Sequence, residues 1–185
     1  ELDEWARWSP DGSKIVYGSH TGGHDYSTCS YALCGGRQQI FVMNSDGSNQ
    51  IRLTVGDIQN EQPSWSSDGT KIIWTRGGYL WVMNSDGSNQ VLTNQQGDHA
   101  EWSPDGTKIV FRKYPGLWKM DADFSNATLL LAGEGYWPSW SPDGSKIIFS
   151  QGKGRGISVI DADGSNITVL KNGDEGHTHW GPAAP

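Results

Sequence analysis

The feature that most constrains the fold of this chain is an internal repeat. Four times a tryptophan is followed by Ser-Pro-Asp-Gly or Ser-Ser-Asp-Gly, then by Ser or Thr, by Lys and by a short apolar run. These tryptophans, and a fifth that continues the series, are Trp8, Trp65, Trp102, Trp140 and Trp180, at intervals of 57, 37, 38 and 40 residues. A period near 40 residues predicts a stack of similar units, each of which buries its faces against its neighbours.

A second motif recurs within every repeat. A strand-like stretch runs into an Asn/Asp-x-Asp-Gly-Ser-Asn turn at residues 40–49, 80–89, 117–126 and 157–166, and in the third copy Phe124 replaces the glycine. Turns of this composition suit β-hairpins, because Gly tolerates positive φ and Asp bonds to the backbone beyond it. The runs between the turns are too short for helices and are rich in β-branched and aromatic residues. Each repeat therefore predicts four strands.

The predicted fold class is all-β: a β-propeller with four four-stranded blades of about 40 residues each and one surplus innermost strand at the C-terminus. We expect a single propeller domain over residues 1–185. Its blades would occupy residues 4–54, 62–93, 99–131 and 137–170, and the surplus strand residues 177–180. An inserted loop at 20–36 accounts for the longer first interval.

Together the Trp-Ser-Pro-Asp-Gly, Lys-Ile-x-aromatic and Ile-x-Val-Met-Asn-Ser-Asp-Gly-Ser-Asn motifs resemble the repeat of TolB-type β-propellers, over essentially the whole chain. The resemblance implies an extracytoplasmic protein, which would be secreted, periplasmic or on the cell surface. The family includes periplasmic scaffold proteins, propellers attached to peptidases, and polysaccharide lyases, so the fold alone does not choose the function. Such propellers generally have six or more blades, whereas this chain has four repeats.

The segment that ends at the last repeat tryptophan is not followed by the three further strands of a blade. An unpaired strand edge is a template for pairing with another chain. The predicted assembly edge consists of His177, Thr178, His179 and Trp180. Three arrangements remain open: part of a larger propeller, copies that associate through this edge into a ring or filament, and a self-closed four-bladed propeller.

Composition excludes some partners and leaves others. A net charge of −7, from 21 acidic and 14 basic residues, disfavours nucleic acid, whose phosphates are bound mainly by Lys and Arg. No apolar run approaches the ~20 residues needed to cross a membrane, so we expect no membrane insertion.

The first residue, Glu1, is not Met, which predicts a processed product or a piece of a longer protein. Cys29 and Cys34 lie in the inserted loop and predict a short disulfide, with two free thiols as the alternative.

The innermost strands supply the candidate ligand-binding residues. Such strands line the channel of a propeller, and alternate side chains point toward it. The channel candidates are Trp5, Arg7, Gln62, His99, Glu101, Trp137, His177 and His179. Imidazole with carboxylate suits zinc and related ions; the alternative is a channel that simply prefers polar side chains.

The Asn/Asp-x-Asp-Gly turns also resemble the opening of a calcium-binding loop, whose ligands are oxygen atoms at alternate positions. The acidic residue expected at the twelfth position is missing in all four copies. We therefore expect structural hairpins and no required cofactor, with weak calcium or other divalent-metal binding at Asp161 and Asp163 as the alternative.

Repetition also bears on catalysis. Four near-identical Ser and Asp turns serve a fold rather than a reaction, which needs one converging set of groups. No Gly-x-Ser-x-Gly or His-Glu-x-x-His motif is present.

We expect a non-catalytic binding and assembly module whose partners are other protein chains, chiefly identical copies. The recurring tryptophans would pack between blades; less regular ones could stack on sugar rings. The alternatives are a carbohydrate-binding propeller and the propeller portion of a larger carbohydrate-active or peptidase-type enzyme.

Overall fold

The computed structural model describes residues 3–20, 37–152, 156–173 and 180. Within these residues the chain forms sixteen β-strands and no helix. Accordingly, no described segment is a helix of the length and apolar character that crossing a bilayer requires.

The strands form four four-stranded sheets, and in each sheet they pair in the order in which they follow one another along the chain. Blade 1 contains β1 (Asp3–Trp8), β2 (Lys14–His20), β3 (Gln38–Asn44) and β4 (Ile51–Arg52). Blade 2 contains β5 (Asn60–Trp65), β6 (Lys71–Arg76), β7 (Tyr79–Asn84) and β8 (Val91–Gln96). Blade 3 contains β9 (Asp98–Trp102), β10 (Lys108–Lys113), β11 (Gly116–Asp121) and β12 (Thr128–Ala132). Blade 4 contains β13 (Tyr136–Trp140), β14 (Lys146–Ser150), β15 (Ile157–Asp161) and β16 (Thr168–Lys171).

These sheets confirm the predicted fold class, an all-β chain with four four-stranded propeller blades. The predicted surplus strand at 177–180 lies outside the described residues except for Trp180. The predicted inserted loop at 20–36 also lies outside the described residues, except for His20. Cys29 and Cys34 belong to the part that lies outside.

The first hairpin of each blade is held by its aspartate. In blade 1 the Asp11 carboxylate accepts hydrogen bonds from the Ser9 hydroxyl at 2.6 Å and from the Ser13 main-chain N at 3.0 Å. Gly12, with φ of +70°, closes the turn by donating its N–H to the Ser9 carbonyl at 2.9 Å. The same bonds recur around Asp68, Asp105 and Asp143. The hairpins predicted from the Asp-Gly pairs are therefore confirmed.

The chain divides into two compact units, Glu1–Leu92 and Thr93–Pro185. Unit 1 holds blade 1 and blade 2 as far as Leu92, so that residues 93–96 of β8 fall in unit 2; its core includes Val16, Ile40, Trp65, Ile72 and Trp74. Unit 2 holds blades 3 and 4, and its core includes Val110, Leu117, Trp140, Ile147 and Phe149. In both units the apolar runs after the first hairpin supply core residues, and the successive residues Ile72, Ile73 and Trp74 are all fully buried.

Each innermost strand contains a β-bulge. In blade 1, Glu4 pairs with Gly18 and Arg7 with Val16, so β1 has one extra residue between them. Register shifts at the same place interrupt β5, β9 and β13. The bulges contain four non-glycine residues with φ between 51° and 62°: Trp5, Gln62, His99 and Trp137. Because a bulge re-aims the side chains around it, the strict alternation expected along these strands is interrupted.

Candidate functional site

The blades within each unit are joined by a repeated tryptophan contact. The Trp65 indole Nε1 donates to the Arg7 carbonyl at 3.2 Å, and the Trp140 Nε1 donates to the Glu101 carbonyl at 3.2 Å. In both pairs the acceptor is the residue directly before the repeat tryptophan of the preceding blade. Trp65, Trp102 and Trp140 are 7%, 7% and 5% exposed. The predicted packing between blades is therefore confirmed for Trp65 and Trp140.

Trp8 is the exception, and the prediction that all four repeat tryptophans are buried is wrong for it. Its side chain is 59% exposed. Trp65 packs on blade 1 and donates to the Arg7 carbonyl, whereas the described residues show no such bond from the Trp8 indole. A sequence repeat places the same residue at the same point of every blade, but burial depends on what lies against that blade. Blade 1 thus presents an exposed aromatic face.

Trp180 repeats the contact at the other end of the described chain. Its Nε1 donates to the Ser139 carbonyl at 3.1 Å, and Ser139 directly precedes Trp140. Of the four residues of the predicted assembly edge, this is the one that the structure describes; His177, Thr178 and His179 lie outside the described residues.

Glu101, a channel candidate, is used between blades 3 and 4. Its Oε1 accepts hydrogen bonds from the Ser139 hydroxyl at 3.1 Å and from the Trp140 main-chain N at 3.0 Å. The carboxylate therefore satisfies two donors of the neighbouring blade. The corresponding position of blade 1 is Arg7, which offers only its main-chain carbonyl to Trp65.

Two other channel candidates, His99 and Trp137, come together in unit 2. Their rings meet edge to face at 5.9 Å, and His99 is nearly buried, with 11% of its side chain exposed. Asp98 lies between His99 and Arg112: its Oδ1 is 2.8 Å from His99 Nδ1, and its Oδ2 accepts from Arg112 Nη1 at 3.1 Å. The Arg112 guanidinium also lies over the ring of Tyr136, 4.2 Å from its centre. We call these five residues the His99 cluster.

Sequence reasoning named His99 and Trp137 for this site but missed Arg112 and Tyr136. Arg112 lies on β10, and only strand pairing brings it to Asp98. Of the remaining described candidates, Gln62 accepts a hydrogen bond at its Oε1 from the Thr75 hydroxyl at 3.0 Å, and Trp5 and Arg7 are half-buried. Across the described parts of the chain, no group of three His, Cys, Asp or Glu side chains could hold a metal ion.

The proposed calcium ligands are engaged by neighbouring side chains. Lys146 and Asn166 donate to the two oxygens of Asp161, and the hydroxyl and main-chain N of Ser165 donate to Asp163. These bonds lower the pKa of both carboxyl groups, chiefly through Lys146 for Asp161 and Ser165 for Asp163. Calcium binding would have to compete with them and stays a prediction.

A groove runs between the two blades of each unit, beside the first-hairpin turns. Groove 1, in unit 1, has a volume of about 440 Å³, and groove 2, in unit 2, about 360 Å³. Asp11, Asp68 and Asp86 line groove 1, and the corresponding Asp105, Asp143 and Asp163 line groove 2. Apolar side chains of Val42, Leu53 and Trp65 also line groove 1.

Comparison with solved structures finds the same fold. TolB from Acinetobacter baumannii is 19% identical, and the match covers 93% of this chain and 44% of that one with a TM-score of 0.72. A chain of a nidogen/laminin complex is 12% identical, with 90% and 63% covered and a TM-score of 0.72. An oligogalacturonate lyase in complex with manganese is 17% identical, with 89% and 51% covered and a TM-score of 0.63. This chain thus spans less than half the length of the TolB structure.

The sequence itself also matches a family model. Residues 27–184 fit the model of the TolB β-propeller domain, which is most of the chain and includes all four second-hairpin turns. The blades, the Asp-Gly turns and the tryptophan contacts described above are what this repeated sequence builds. The chain therefore belongs to the TolB β-propeller domain family.

Proposed function

We propose that this chain is a non-catalytic binding and assembly module that acts outside the cytoplasm and associates with other copies of itself. The observation that carries the proposal is the 59% exposure of Trp8, set against 7% and 5% for Trp65 and Trp140 at the same place in later blades. An indole is among the largest apolar side chains. Trp8 occupies a position that is buried in other blades, so removing its side chain from water would be energetically favourable.

The internal repeat indicates what would cover Trp8. Within each unit the surface that receives a repeat tryptophan is the innermost strand of another blade, whose main-chain carbonyl accepts the indole N–H. A second copy of the chain offers such a surface. The edge at residues 177–180 is the proposed partner surface, because Trp180 already makes the same kind of contact with Ser139.

Membership of the TolB family and the carboxylates used in turns support a binding role rather than catalysis. Action outside the cytoplasm is supported by the same membership.

The test is the mass of the purified chain in solution, measured by light scattering over a range of concentrations. We expect the natural chain to form dimers or longer polymers. Trp8→Ser, which removes an exposed side chain, should leave folded monomers, and so should a chain truncated after residue 176. Tyr114→Ser is the matched control, because Tyr114 is a 90% exposed aromatic residue outside the proposed contact and its removal should leave association unchanged.

A natural chain that stays monomeric at all concentrations would overturn the assembly proposal. So would association that persists in both Trp8→Ser and the truncated chain. If association is lost in Trp8→Ser but persists in the truncated chain, the contact uses the blade 1 face around Trp8 but does not use the edge at residues 177–180.

A second candidate function, oligosaccharide binding, is favoured by the His99 cluster. Tyr136 and Trp137 are half-buried aromatic residues next to the Arg112 guanidinium, and aromatic rings with a cation suit an acidic sugar. Oligogalacturonate is the probe that the lyase relative suggests. Quenching of tryptophan fluorescence by oligogalacturonate, reduced in Arg112→Gln, would support this function; no quenching at millimolar sugar would reject it.

A further inference from the structure

Grooves 1 and 2 are built from corresponding residues. The turn residues Asp11, Asp68 and Asp86 of groove 1 occupy the repeat positions of Asp105, Asp143 and Asp163 in groove 2, and Trp65 corresponds to Trp140. Ser85 corresponds in the same way to Ala162, and Lys14 to Lys108. The two grooves can therefore be compared position by position within one chain.

Groove 2 contains a lysine that groove 1 lacks. Lys119 extends from β11 across the groove, and its Nζ donates a hydrogen bond to the main-chain carbonyl of Ala162 on blade 4. Next to that carbonyl, the pKa of Asp163 is lowered, first by hydrogen bonds from Ser165 and further by the charge of Lys119. An ammonium group of blade 3 thus binds a main-chain carbonyl of blade 4, and its charge acts on the neighbouring Asp163 carboxylate.

In groove 1 the position of Lys119 is taken by Val42. The isopropyl group of valine is too short to reach the far side of the groove, and it carries no charge. The carbonyl-bearing residue Ser85 and the carboxylate-bearing residue Asp86 nevertheless line groove 1 as their counterparts line groove 2. Groove 1 is also the larger of the two, at about 440 Å³.

The charges of the two linings differ by the same residue. Each groove is lined by three aspartates, but groove 2 has two lysines whereas groove 1 has only Lys14. Lys14 Nζ donates to the amide oxygen of Asn44 at 3.3 Å. Groove 1 is thus short of one positive charge relative to groove 2, in a chain with a net charge of −7.

The floor of groove 1 suits the stem of a long basic side chain. Val42, Leu53 and Trp65 are 5%, 9% and 7% exposed and form an apolar lining, while the aspartates stand at the rim. Lysine buries its methylene chain along apolar surface and keeps its ammonium group among polar atoms. A small metal ion would gain nothing from such a floor.

We propose that groove 1 binds the side chain of a lysine from a protein partner, with its ammonium group at the Ser85 carbonyl, as Lys119 is held by the Ala162 carbonyl in groove 2, and with its charge balanced by the nearby Asp86 carboxylate. The proposal rests on the proposed function only in that the partner is a protein. It does not require association between copies of this chain.

The probe is a short peptide with one central lysine flanked by glycines, compared with the same peptide carrying acetyl-lysine. Binding is followed by nuclear magnetic resonance shifts of the Trp65 indole N–H and the Asp86 main-chain N–H. We expect the lysine peptide to shift both signals and the acetyl-lysine peptide to shift neither, because acetylation removes the charge.

Three substitutions locate the site. Asp86→Asn keeps an oxygen that can accept the Ser88 hydrogen bonds but removes the charge, and should weaken peptide binding several-fold, because a nearby opposite charge stabilises an ammonium group. Asp163→Asn is the matched control: Lys119 already occupies groove 2, so the affinity should not change. Val42→Lys should supply the missing ammonium group from within the chain and abolish binding.

Equal binding of the acetylated peptide would overturn the proposal, as would an unchanged affinity in Asp86→Asn or an equal loss in Asp163→Asn. If Val42→Lys does not fold, the two aspartate variants decide alone, since both residues are on exposed turns. Repeating the titration in Trp8→Ser separates this test from the proposed function: peptide binding should persist in a chain that no longer associates.

Discussion

Both N–H groups of Trp140 donate hydrogen bonds to Glu101: the main-chain N to the carboxylate Oε1 at 3.0 Å, and the indole Nε1 to the main-chain carbonyl at 3.2 Å. The indole bond recurs between Trp65 and Arg7 in unit 1, whereas the carboxylate bond is specific to the pair in unit 2. Both contacts between blades thus share the bond from a tryptophan indole to a main-chain carbonyl. The contact in unit 2 adds a bond to the Glu101 carboxylate.

Removing the Glu101 carboxylate should loosen blade 4 from blade 3. Glu101→Ala leaves the Trp140 main-chain N and the Ser139 hydroxyl without their acceptor, and Ser139 is 2% exposed. A buried donor that loses its partner costs about 1–3 kcal/mol. Urea unfolding should show this loss, with a smaller loss for Glu101→Gln, whose amide oxygen can still accept. Equal stability of the natural chain and Glu101→Ala would contradict this account of the contact.

Acid should weaken the first hairpins. The hydrogen bonds from Ser141 and Ser145 lower the pKa of Asp143 from 3.8 to about 2. A depressed pKa stabilises the folded chain above the unfolded value, and that contribution is lost as the pH falls from about 4 to about 2. The melting temperature of the natural chain should therefore exceed that of Asp143→Asn at neutral pH by a margin that shrinks across this window. Parallel curves down to pH 2 would show that the charge of Asp143 contributes nothing.

The third copy of the second hairpin has a strained residue. Phe124 has φ of +70°, where the other copies have Gly47, Gly87 and Gly164 at φ of +84° to +93°. A left-handed backbone costs a residue with a side chain roughly 1–2 kcal/mol relative to its preferred conformation. Phe124→Gly should therefore raise the free energy of unfolding by about 1 kcal/mol.

A substitution in the opposite sense, from glycine to a residue with a side chain, provides the control for that prediction. Gly47→Ala adds a methyl group with nothing within 4 Å at a position with φ of +84°, so any loss of stability there comes from the backbone. We expect a loss of about 1 kcal/mol. If Phe124→Gly instead destabilises the chain, contacts of the phenyl ring outweigh the strain.

Gly116 at the start of β11 is required by close packing of two strands. A methyl group on Gly116 would lie 1.9 Å from the main-chain carbonyl oxygen of Leu131, although the φ of Gly116 is not positive. Because a backbone atom cannot move aside cheaply, Gly116→Ala should cost about 3 kcal/mol or more in chemical denaturation. Gly18→Ala, whose φ is also not positive and whose added methyl group would meet only the side chain of Gln38, should cost less; similar losses for both would argue against the clash.

Strands and hairpins were predictable because their causes are local. The Asp11 carboxylate bonds to residues within two positions of itself, so the turn follows from five consecutive letters. The positive φ of His99 and its counterparts had no such signal, because none of the four is a glycine. The candidate channel site was predictable only in part: His99 and Trp137 meet, but Arg112 reaches Asp98 through strand pairing that no spacing in the sequence indicates.

By itself, the sequence of this protein determined four blades of four strands, because each turn and each apolar run is specified by neighbours in the chain. Only the tertiary structure decided what the repeated residues contact. Trp8 and Trp65 are the same residue in the same motif, yet one is exposed and the other buried. Val42 and Lys119 likewise occupy the same position of two repeats, and the consequence of that difference is seen only in the grooves that these residues line. Burial and charge balance are properties of surfaces that distant segments build together, and a repeat in the sequence does not make those surfaces equal.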